Sequence, residues 1–216
     1  MKRFAQHWTL GVLLALSLTA CASAPQSLPQ FKSSLRQYVD SGEYASQVGR
    51  VAGRAERFLS RRAPATTRPA IVLDIDETSL SNWPNQIDSN FCYDPATFHA
   101  WVLLAEAEAL PGVLRLYKTA SRLGVTVFFV TGRHEDQREA TERNLRAVGF
   151  DSWAALDMRP RNDGEPSASV FKEAVRRRVT EAGYTILANV GDQESDLAGG
   201  YAERSFKLPN PFYKVP

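Results

Sequence analysis

Apolar residues in the early part of the chain recur every three or four positions. This spacing places them on one face of an α-helix, which we predict over residues 43–61. The residues that form this face are Tyr44, Val48, Val51, Ala55 and Phe58. The same kind of periodicity predicts three further helices, over residues 113–123, 136–148 and 167–182. Each of these three is followed by a glycine, the residue that commonly ends a helix.

Short uninterrupted apolar runs are typical of strands that are buried on both faces of a parallel sheet. Three such runs occupy residues 70–73, 125–130 and 184–190. Residues 153–156 are a weaker strand candidate, and residues 205–208 are a candidate edge strand. Since strands and helices alternate, we predict an α/β fold with a Rossmann-like, doubly wound parallel sheet. The core begins at about residue 69, after an N-terminal helical segment.

Residues 79–110 form a small insert between the first strand and the next helix. Asp94 before Pro95 predicts the start of one helix in this insert. The segment is too short for a large cap, so we expect an open site. The insert is rich in aromatic residues, namely Trp83, Phe91, Tyr93, Phe98 and Trp101. Two interpretations remain: these rings pack the insert's own core, or they form a stacking wall for a substrate. The candidates for substrate contact are Trp83, Tyr93 and Trp101, together with Arg133.

The N-terminus has the features of a signal peptide. Lys2 and Arg3 precede an uncharged apolar run at residues 9–20, which is too short to span a bilayer as a helix. The run ends in Leu-Thr-Ala-Cys at Cys21. This ending resembles the bacterial lipobox, in which the cysteine is lipidated and becomes the new N-terminus. The alternative is a buried helix or an ordinary signal peptide with an incidental cysteine.

The N-terminal pattern implies a division of the chain and a location. We expect a lipoprotein signal peptide over residues 1–20, a Ser-, Pro- and Ala-rich tether over residues 21–30, and one domain over residues 31–216. Cys21 is followed by Ala22 rather than by aspartate. In Gram-negative lipoproteins this implies the outer membrane. We therefore expect lipid anchoring in the bacterial cell envelope, facing the periplasm or the surface.

Charge and cysteine content exclude several classes of protein. The chain has 26 lysines and arginines against 24 acidic residues, and two of the basic residues lie in the signal peptide. A mature charge near zero argues against a nucleic-acid polymer as partner. Cys21 and Cys92 are the only cysteines, too few for a disulfide scaffold or a cysteine-built zinc site.

Polar residues follow three of the predicted strands, at the point where each strand ends. In chain order they are Asp74 and Asp76, then Thr131, Gly132 and Arg133, and finally Asp192 and Asp196. Because open parallel sheets bind ligands outside the carboxyl ends of their strands, we expect these residues to meet in one crevice. Grouped carboxylates cannot all stay ionised unaided. Mg²⁺, which prefers oxygen ligands, is the simplest remedy.

A phosphoryl group among carboxylates needs a balancing cation, and Lys172 is the candidate. It is the only lysine between residues 131 and 192, in a chain with 6 lysines and 20 arginines. A compact ammonium on a flexible stem suits a crowded phosphate site. Thr131 offers a hydroxyl, and the turn at Gly132 offers backbone N–H donors. The arginines at residues 176–178 are interpreted as a solvated helix face.

The motifs together resemble the haloacid dehalogenase superfamily of phosphatases, which share the haloacid dehalogenase fold. The resemblance is carried by DIDET, TGR, the lone lysine and GDQESD, in that order. The flanking sequences resemble the acid phosphatase family of bacterial lipoproteins and plant vegetative storage proteins. They read DIDETSLSN, ALPGVLRLY, VTVFFVTGR, NVGDQESDLAGG and FKLPNPFY. The resemblance covers residues 69–216 and implies hydrolysis of small phosphate monoesters.

The resemblance also implies a role for each motif residue in the reaction. Asp74 would be the nucleophile that forms an aspartyl-phosphate. Asp76 would protonate the leaving oxygen and then activate water. Thr131 and Gly132 would bind the phosphoryl oxygens, and Lys172 would neutralise charge between Asp74 and the phosphate.

The remaining carboxylates are implied to hold magnesium. Asp192 would bind Mg²⁺ together with Asp74 and the backbone carbonyl of Asp76. Asp196 would hold either a metal-bound water or Lys172. Two alternatives remain for the function: a non-catalytic binding or storage protein with the same fold, and a narrow-specificity nucleotidase. The presence of Asp74 speaks against the first alternative.

Overall fold

A five-stranded parallel sheet forms the centre of the protein. The computed structural model describes residues 26–161, 164 and 167–215. In chain order the strands are β1 (Pro69–Leu73), β2 (Leu80–Ser81), β3 (Glu108–Ala109), β4 (Thr126–Thr131), β5 (Ala155–Met158), β6 (Thr185–Gly191) and β7 (Arg204–Lys207). The central sheet has the order β5-β4-β1-β6-β7, and every neighbouring pair in it is parallel. The predicted doubly wound α/β fold is therefore confirmed.

Eight α-helices accompany the strands in the described part of the chain. They are α1 (Leu28–Asp40), α2 (Glu43–Arg62), α3 (Trp83–Asp88), α4 (Pro95–Leu104), α5 (Pro111–Arg122), α6 (Arg138–Ala147), α7 (Ala168–Glu181) and α8 (Glu194–Leu197). The four helices predicted from periodicity correspond to α2, α5, α6 and α7. The start of α6 was placed too early, because residues 135–137 form a short 3-10 turn.

The sheet separates two hydrophobic cores. Successive side chains of a strand point to opposite faces, so Ile71 and Leu73 of β1 pack with α2 and α5 in the larger core. Val72 of β1 points the other way and packs with Val175 and Val179 of α7. Helices thus cover both faces and leave the strand ends open to bind a ligand.

The insert is more structured than the sequence predicted. A loop and one helix were expected over residues 79–110, but the insert contains α3, α4 and the antiparallel ribbon of β2 and β3. The ribbon pairs Leu80 with Ala109 and so ties the two ends of the insert together. The predicted start of α4 is confirmed, since Asp94 accepts a hydrogen bond from the Thr97 backbone N–H at 2.7 Å. The helix that was missed, α3, has only six residues.

The predicted tether is too long by three residues. Helix α1 begins at Leu28, and Ser27 and Gln30 cap its first turn. Residues 28–30 are therefore helical, which corrects the tether boundary. The predicted signal peptide and Cys21 lie outside the described residues. Within the described residues, no helix is both long and apolar enough to cross a bilayer.

Candidate active site

Three loops meet at the carboxyl edge of the central strands. Asp74 directly follows β1, Thr131 ends β4, and Asp192 directly follows β6. Since β1 lies between β4 and β6 in the sheet, the three loops are neighbours. They line a crevice of about 790 Å³. The prediction that these polar segments share one crevice is confirmed.

A lysine bridges two carboxylates at the floor of this crevice. The Nζ atom of Lys172 lies 2.6 Å from Oδ1 of Asp74 and 2.5 Å from Oδ1 of Asp196. All three side chains are buried. Carboxylate oxygens of Asp74, Asp192 and Asp196 lie within 4.8 Å of one another. The lysine predicted from its isolation in the sequence is thus brought into the carboxylate cluster by α7.

The cluster carries more negative than positive charge. Burial, followed by the charge of Asp196, raises the pKa of Asp74 well above its ordinary value. Burial and Asp196 also raise the pKa of Asp192, to about 6. Burial alone would lower the pKa of Lys172, but the two carboxylates beside it outweigh burial and raise it. A hard divalent cation fits this site, because the potential ligand atoms are all carboxylate oxygens and the one ammonium of Lys172 does not balance three carboxylates.

Asp76 lies in a different electrostatic environment from Asp74. Its Oδ1 accepts hydrogen bonds from Nη2 of Arg133 at 2.7 Å and from Nδ2 of Asn82 at 2.9 Å. Burial alone would raise the pKa of Asp76, but the charge and hydrogen bonds of Arg133, aided by Asn82, lower it. The carboxylate form of Asp76 is therefore favoured more strongly than that of Asp74.

Arg133 and the neighbouring turn are held by internal contacts. The guanidinium of Arg133, predicted to contact substrate, is instead paired with Asp76 and donates a further hydrogen bond to Thr141. Arg133 still lines the crevice, as does Gly132. The hydroxyl of Thr131 accepts a hydrogen bond from the Arg133 backbone N–H at 3.1 Å, which fixes the turn.

Comparison with known proteins identifies the family. Residues 4–216 match the family described as "HAD superfamily, subfamily IIIB (Acid phosphatase)". The chain belongs to this family. It is 36% identical over 186 residues to Acid phosphatase 1 of Solanum lycopersicum, and the aligned region covers 84% of this chain and 73% of that protein. It is 34% identical over 149 residues to Vegetative storage protein 1 of Arabidopsis thaliana, and the aligned region covers 67% of this chain and 55% of that protein.

A solved structure agrees with this assignment. The class C acid phosphatase from Bacillus anthracis superposes with a TM-score of 0.71 at 26% identity, covering 87% of this chain and 86% of that one. A second structure of the Bacillus anthracis enzyme has tungstate bound. The resemblance read from the motifs is confirmed, and the chain is a phosphomonoesterase of the haloacid dehalogenase superfamily.

The aromatic residues of the phosphatase divide into two groups. Tyr93 lines the crevice and is 77% exposed. Trp83 packs between Phe91 and Phe212, and Trp101 donates its indole N–H to Asn82. Neither tryptophan lines the crevice, which corrects the prediction that both contact substrate. Both tryptophans instead help to hold the insert in place.

Sequence reasoning assigned no role to Glu77, although it is buried beside the catalytic loop. It lies within the DIDET motif, and burial raises its pKa to about 8 despite a hydrogen bond from Tyr213. The hydroxyl of Tyr213 donates to Oε2 of Glu77 at 2.5 Å. The position of Glu77 in the same DIDET motif as Asp74 and Asp76 could have revealed it.

The C-terminal segment of the phosphatase also reaches the site. Asn210 donates to Oδ2 of Asp192 at 2.7 Å, and the Val215 backbone N–H donates to Oε1 of Gln193 at 3.0 Å. Tyr213 and Val215 line the crevice. Only the resemblance of FKLPNPFY to the acid phosphatase family pointed to this segment, and it gave no role to any single residue in it.

Arg176 was predicted to lie on a solvated face, and this prediction is wrong. The side chain is 1% exposed and donates to the backbone carbonyls of Asp196 at 2.7 Å, Gly200 at 2.9 Å and Ala198. Asn189 donates to the Asp196 carbonyl as well, at 2.8 Å. Arg176 therefore fixes the loop that presents Asp196 to Lys172.

We expect Arg176→Met to lower the free energy of unfolding by about 2–4 kcal/mol, because the carbonyls of Asp196, Ala198 and Gly200 lose a charged donor. Arg177→Met is the matched control, since Arg177 is exposed and only 3.8 Å from Glu181 in a surface pair. That control should change stability by less than about 0.5 kcal/mol. Urea denaturation measures both. Equal destabilisation by the two variants would contradict the assigned contacts.

Proposed function

We propose that this phosphatase hydrolyses phosphate monoesters through an aspartyl-phosphate on Asp74 and depends on Mg²⁺. The observation that carries the proposal is the cluster in which Lys172 bridges Asp74 and Asp196 at the crevice floor. The tungstate-bound relative supports it, because tungstate is a tetrahedral oxyanion like phosphate. In this chemistry the protein acts mainly by positioning groups and stabilising charge.

The reaction takes place in two displacements at phosphorus. In the first, a carboxylate oxygen of Asp74 forms a bond to phosphorus while the bond to the leaving oxygen breaks, and Asp76, which has first taken up a proton from solvent, gives that proton to the leaving oxygen. In the second, Asp76 takes a proton from water, whose oxygen displaces Asp74 and releases phosphate. Thr131 and the N–H groups at Gly132 bind the phosphoryl oxygens, and Lys172 offsets the charge on Asp74.

The residues that would hold magnesium are the carboxylates of Asp74 and Asp192 and the backbone carbonyl of Asp76. Asp196 would contribute directly or through a water, while it also holds Lys172. When bound, the cation neutralises the phosphoryl oxygens and so lowers the barrier to attack by an anionic carboxylate.

Asp74→Asn should abolish phosphate release, because the side-chain amide of asparagine is not a nucleophile. The fold should stay intact, because asparagine has nearly the same size and shape as aspartate. Acid-quenched wild-type enzyme should carry one phosphoryl group on the peptide that contains Asp74, detected by mass spectrometry. Asp151→Asn, an exposed carboxylate outside the crevice, should retain activity. Appreciable turnover by Asp74→Asn would remove Asp74 from the nucleophile role.

Magnesium should raise the melting temperature of the metal-free protein, and Asp192→Asn should lose this effect. Binding at a hundred times Kd stabilises by about 2.7 kcal/mol. Because the pKa of Asp192 is raised to about 6, this carboxyl is largely protonated at pH 5 and ionised at pH 7. Protons therefore compete at pH 5, and the same magnesium concentration should stabilise more at pH 7. An unchanged shift in Asp192→Asn would exclude this ligand set.

We also propose that the protein is a lipoprotein anchored through Cys21 in the bacterial cell envelope, at the outer membrane. The support is the Leu-Thr-Ala-Cys ending of the N-terminal apolar run. Mass spectrometry of the wild-type N-terminus should find a lipidated Cys21, and Cys21→Ser should abolish the modification. An unmodified Cys21 in the wild type, or cleavage elsewhere, would refute the anchor.

Two alternative functions remain to be compared with a general phosphatase: a non-catalytic storage protein and a narrow-specificity nucleotidase. A non-catalytic storage role is disfavoured because Asp74 and Lys172 are both present and in contact. A narrow-specificity nucleotidase is favoured by one observation, the exposed ring of Tyr93 on the crevice wall, onto which a base could stack. Comparing nucleoside monophosphates with simple alkyl phosphates as substrates separates a nucleotidase from a general phosphatase.

A further inference from the structure

The side-chain amide of Asn82 is buried and makes three hydrogen bonds. Its Nδ2 donates to Oδ1 of Asp76 at 2.9 Å and to Oε2 of Glu77 at 3.1 Å. Its Oδ1 accepts from the indole Nε1 of Trp101 at 2.9 Å. Asn82 itself is 0% exposed. Nearly the whole hydrogen-bonding capacity of the amide is therefore used between two carboxylates and one indole.

Trp101 decides which way the amide faces. An indole N–H can only donate a hydrogen bond, and a carboxylate can only accept one. Rotating the amide by half a turn would place Oδ1 of Asn82 against the carboxylates and Nδ2 against the indole N–H. The contacts with Asp76 and with the indole N–H would then both be repulsive. The tryptophan on α4 thus ensures that Asn82 presents its donor to Asp76.

The two oxygens of Asp76 are consequently unequal. Oδ1 accepts from Asn82 and also from Arg133, whose Nη2 lies at 2.7 Å and Nε at 3.0 Å. Among the described residues, Oδ2 receives only the longer contact from Nε of Arg133, at 3.2 Å. A carboxylate oxygen that already accepts several hydrogen bonds is a poor place for a proton. The transferable proton therefore belongs on Oδ2.

We propose that Asn82, oriented by Trp101, is a positioning residue for Asp76 that occupies Oδ1 and so assigns proton transfer to Oδ2. This inference rests on the proposed role of Asp76 as general acid and base. In the first displacement the bond between Oδ2 and its proton breaks, and the proton joins the leaving oxygen. The electron pair of the breaking P–O bond remains on that oxygen. In the second displacement Oδ2 takes the proton back from water.

The experiment compares leaving groups in the first turnover, measured by rapid mixing. An alkyl alcohol needs a proton as it leaves, whereas a nitrophenolate hardly does, and general acid help is worth about a hundred- to ten-thousand-fold. Asn82→Leu should slow the first turnover of an alkyl phosphate about tenfold or more. It should slow that of 4-nitrophenyl phosphate less than about twofold. A purely structural role for Asn82 would instead lower the first-turnover rate equally with both substrates, and that outcome would contradict the proposal.

Trp101→Phe is the milder variant, since it removes only the indole N–H and keeps an aromatic ring. It should shift the alkyl-to-aryl rate ratio in the same direction as Asn82→Leu, but by less. Because Trp101 acts through Asn82, adding Trp101→Phe to Asn82→Leu should change the ratio no further. Trp153→Phe is the matched control, because Trp153 packs against Phe129 and Arg146 outside the crevice. The alkyl-to-aryl rate ratio of this variant should equal that of the wild type.

Asp76→Asn in the same assay separates the two hypotheses. If its first turnover with both substrates slows equally, Asp76 is not the acid, and both the proposed role of Asp76 and this inference fail, whereas the nucleophile role of Asp74 is tested separately by Asp74→Asn. If Asp76→Asn shows the leaving-group dependence but Asn82→Leu and Trp101→Phe do not, only the inference is overturned. Should Asn82→Leu fail to fold, as judged by circular dichroism, Trp101→Phe alone decides between these outcomes.

Discussion

The charge imbalance at the crevice floor is the constraint around which this phosphatase is built. Three buried carboxylates share a single ammonium, that of Lys172. Such a group would repel itself apart unless rigid neighbours held it. Two such neighbours lie on α7: Lys172 contacts Asp74 and Asp196, and Arg176, one turn further along, holds the carbonyls of the loop that carries Asp196. Because the site carries excess negative charge, it favours the binding of a cation. A bound cation would then allow a negatively charged substrate to bind.

The two aspartates of the DIDET motif have opposite environments although only one residue separates them. Burial and the neighbouring carboxylates raise the pKa of Asp74. Arg133 outweighs burial at Asp76 and lowers its pKa. This contrast agrees with the proposed roles, in which Asp74 would receive its compensating charge from a cation and Asp76 would exchange a proton. Different neighbours, rather than different residue types, separate the two roles.

The five strands of the central sheet, most helices and the convergence of Asp74, Thr131 and Asp192 were predictable from the sequence. They depend on apolar periodicity and on the rule that polar residues at parallel strand ends meet. The burial of Arg176 was not predictable, because its partners are backbone carbonyls of a distant loop. Every residue has a backbone carbonyl, so the sequence does not mark which of them accept a hydrogen bond. The contact of Trp101 with Asn82 was missed for a related reason, since an aromatic residue reads equally as core, substrate wall or hydrogen-bond donor.

The C-terminal segment brings Val215 to the wall of the crevice. The backbone of Val215 is held by Gln193, beside Asp192. A segment fused to this part of the chain would therefore begin next to the crevice. A purification tag or fusion partner at this end would compete with substrate for space and disturb the hydrogen bonds of Tyr213 and Asn210. An internal surface loop remote from the crevice, such as the turn between α5 and β4, is the better attachment point.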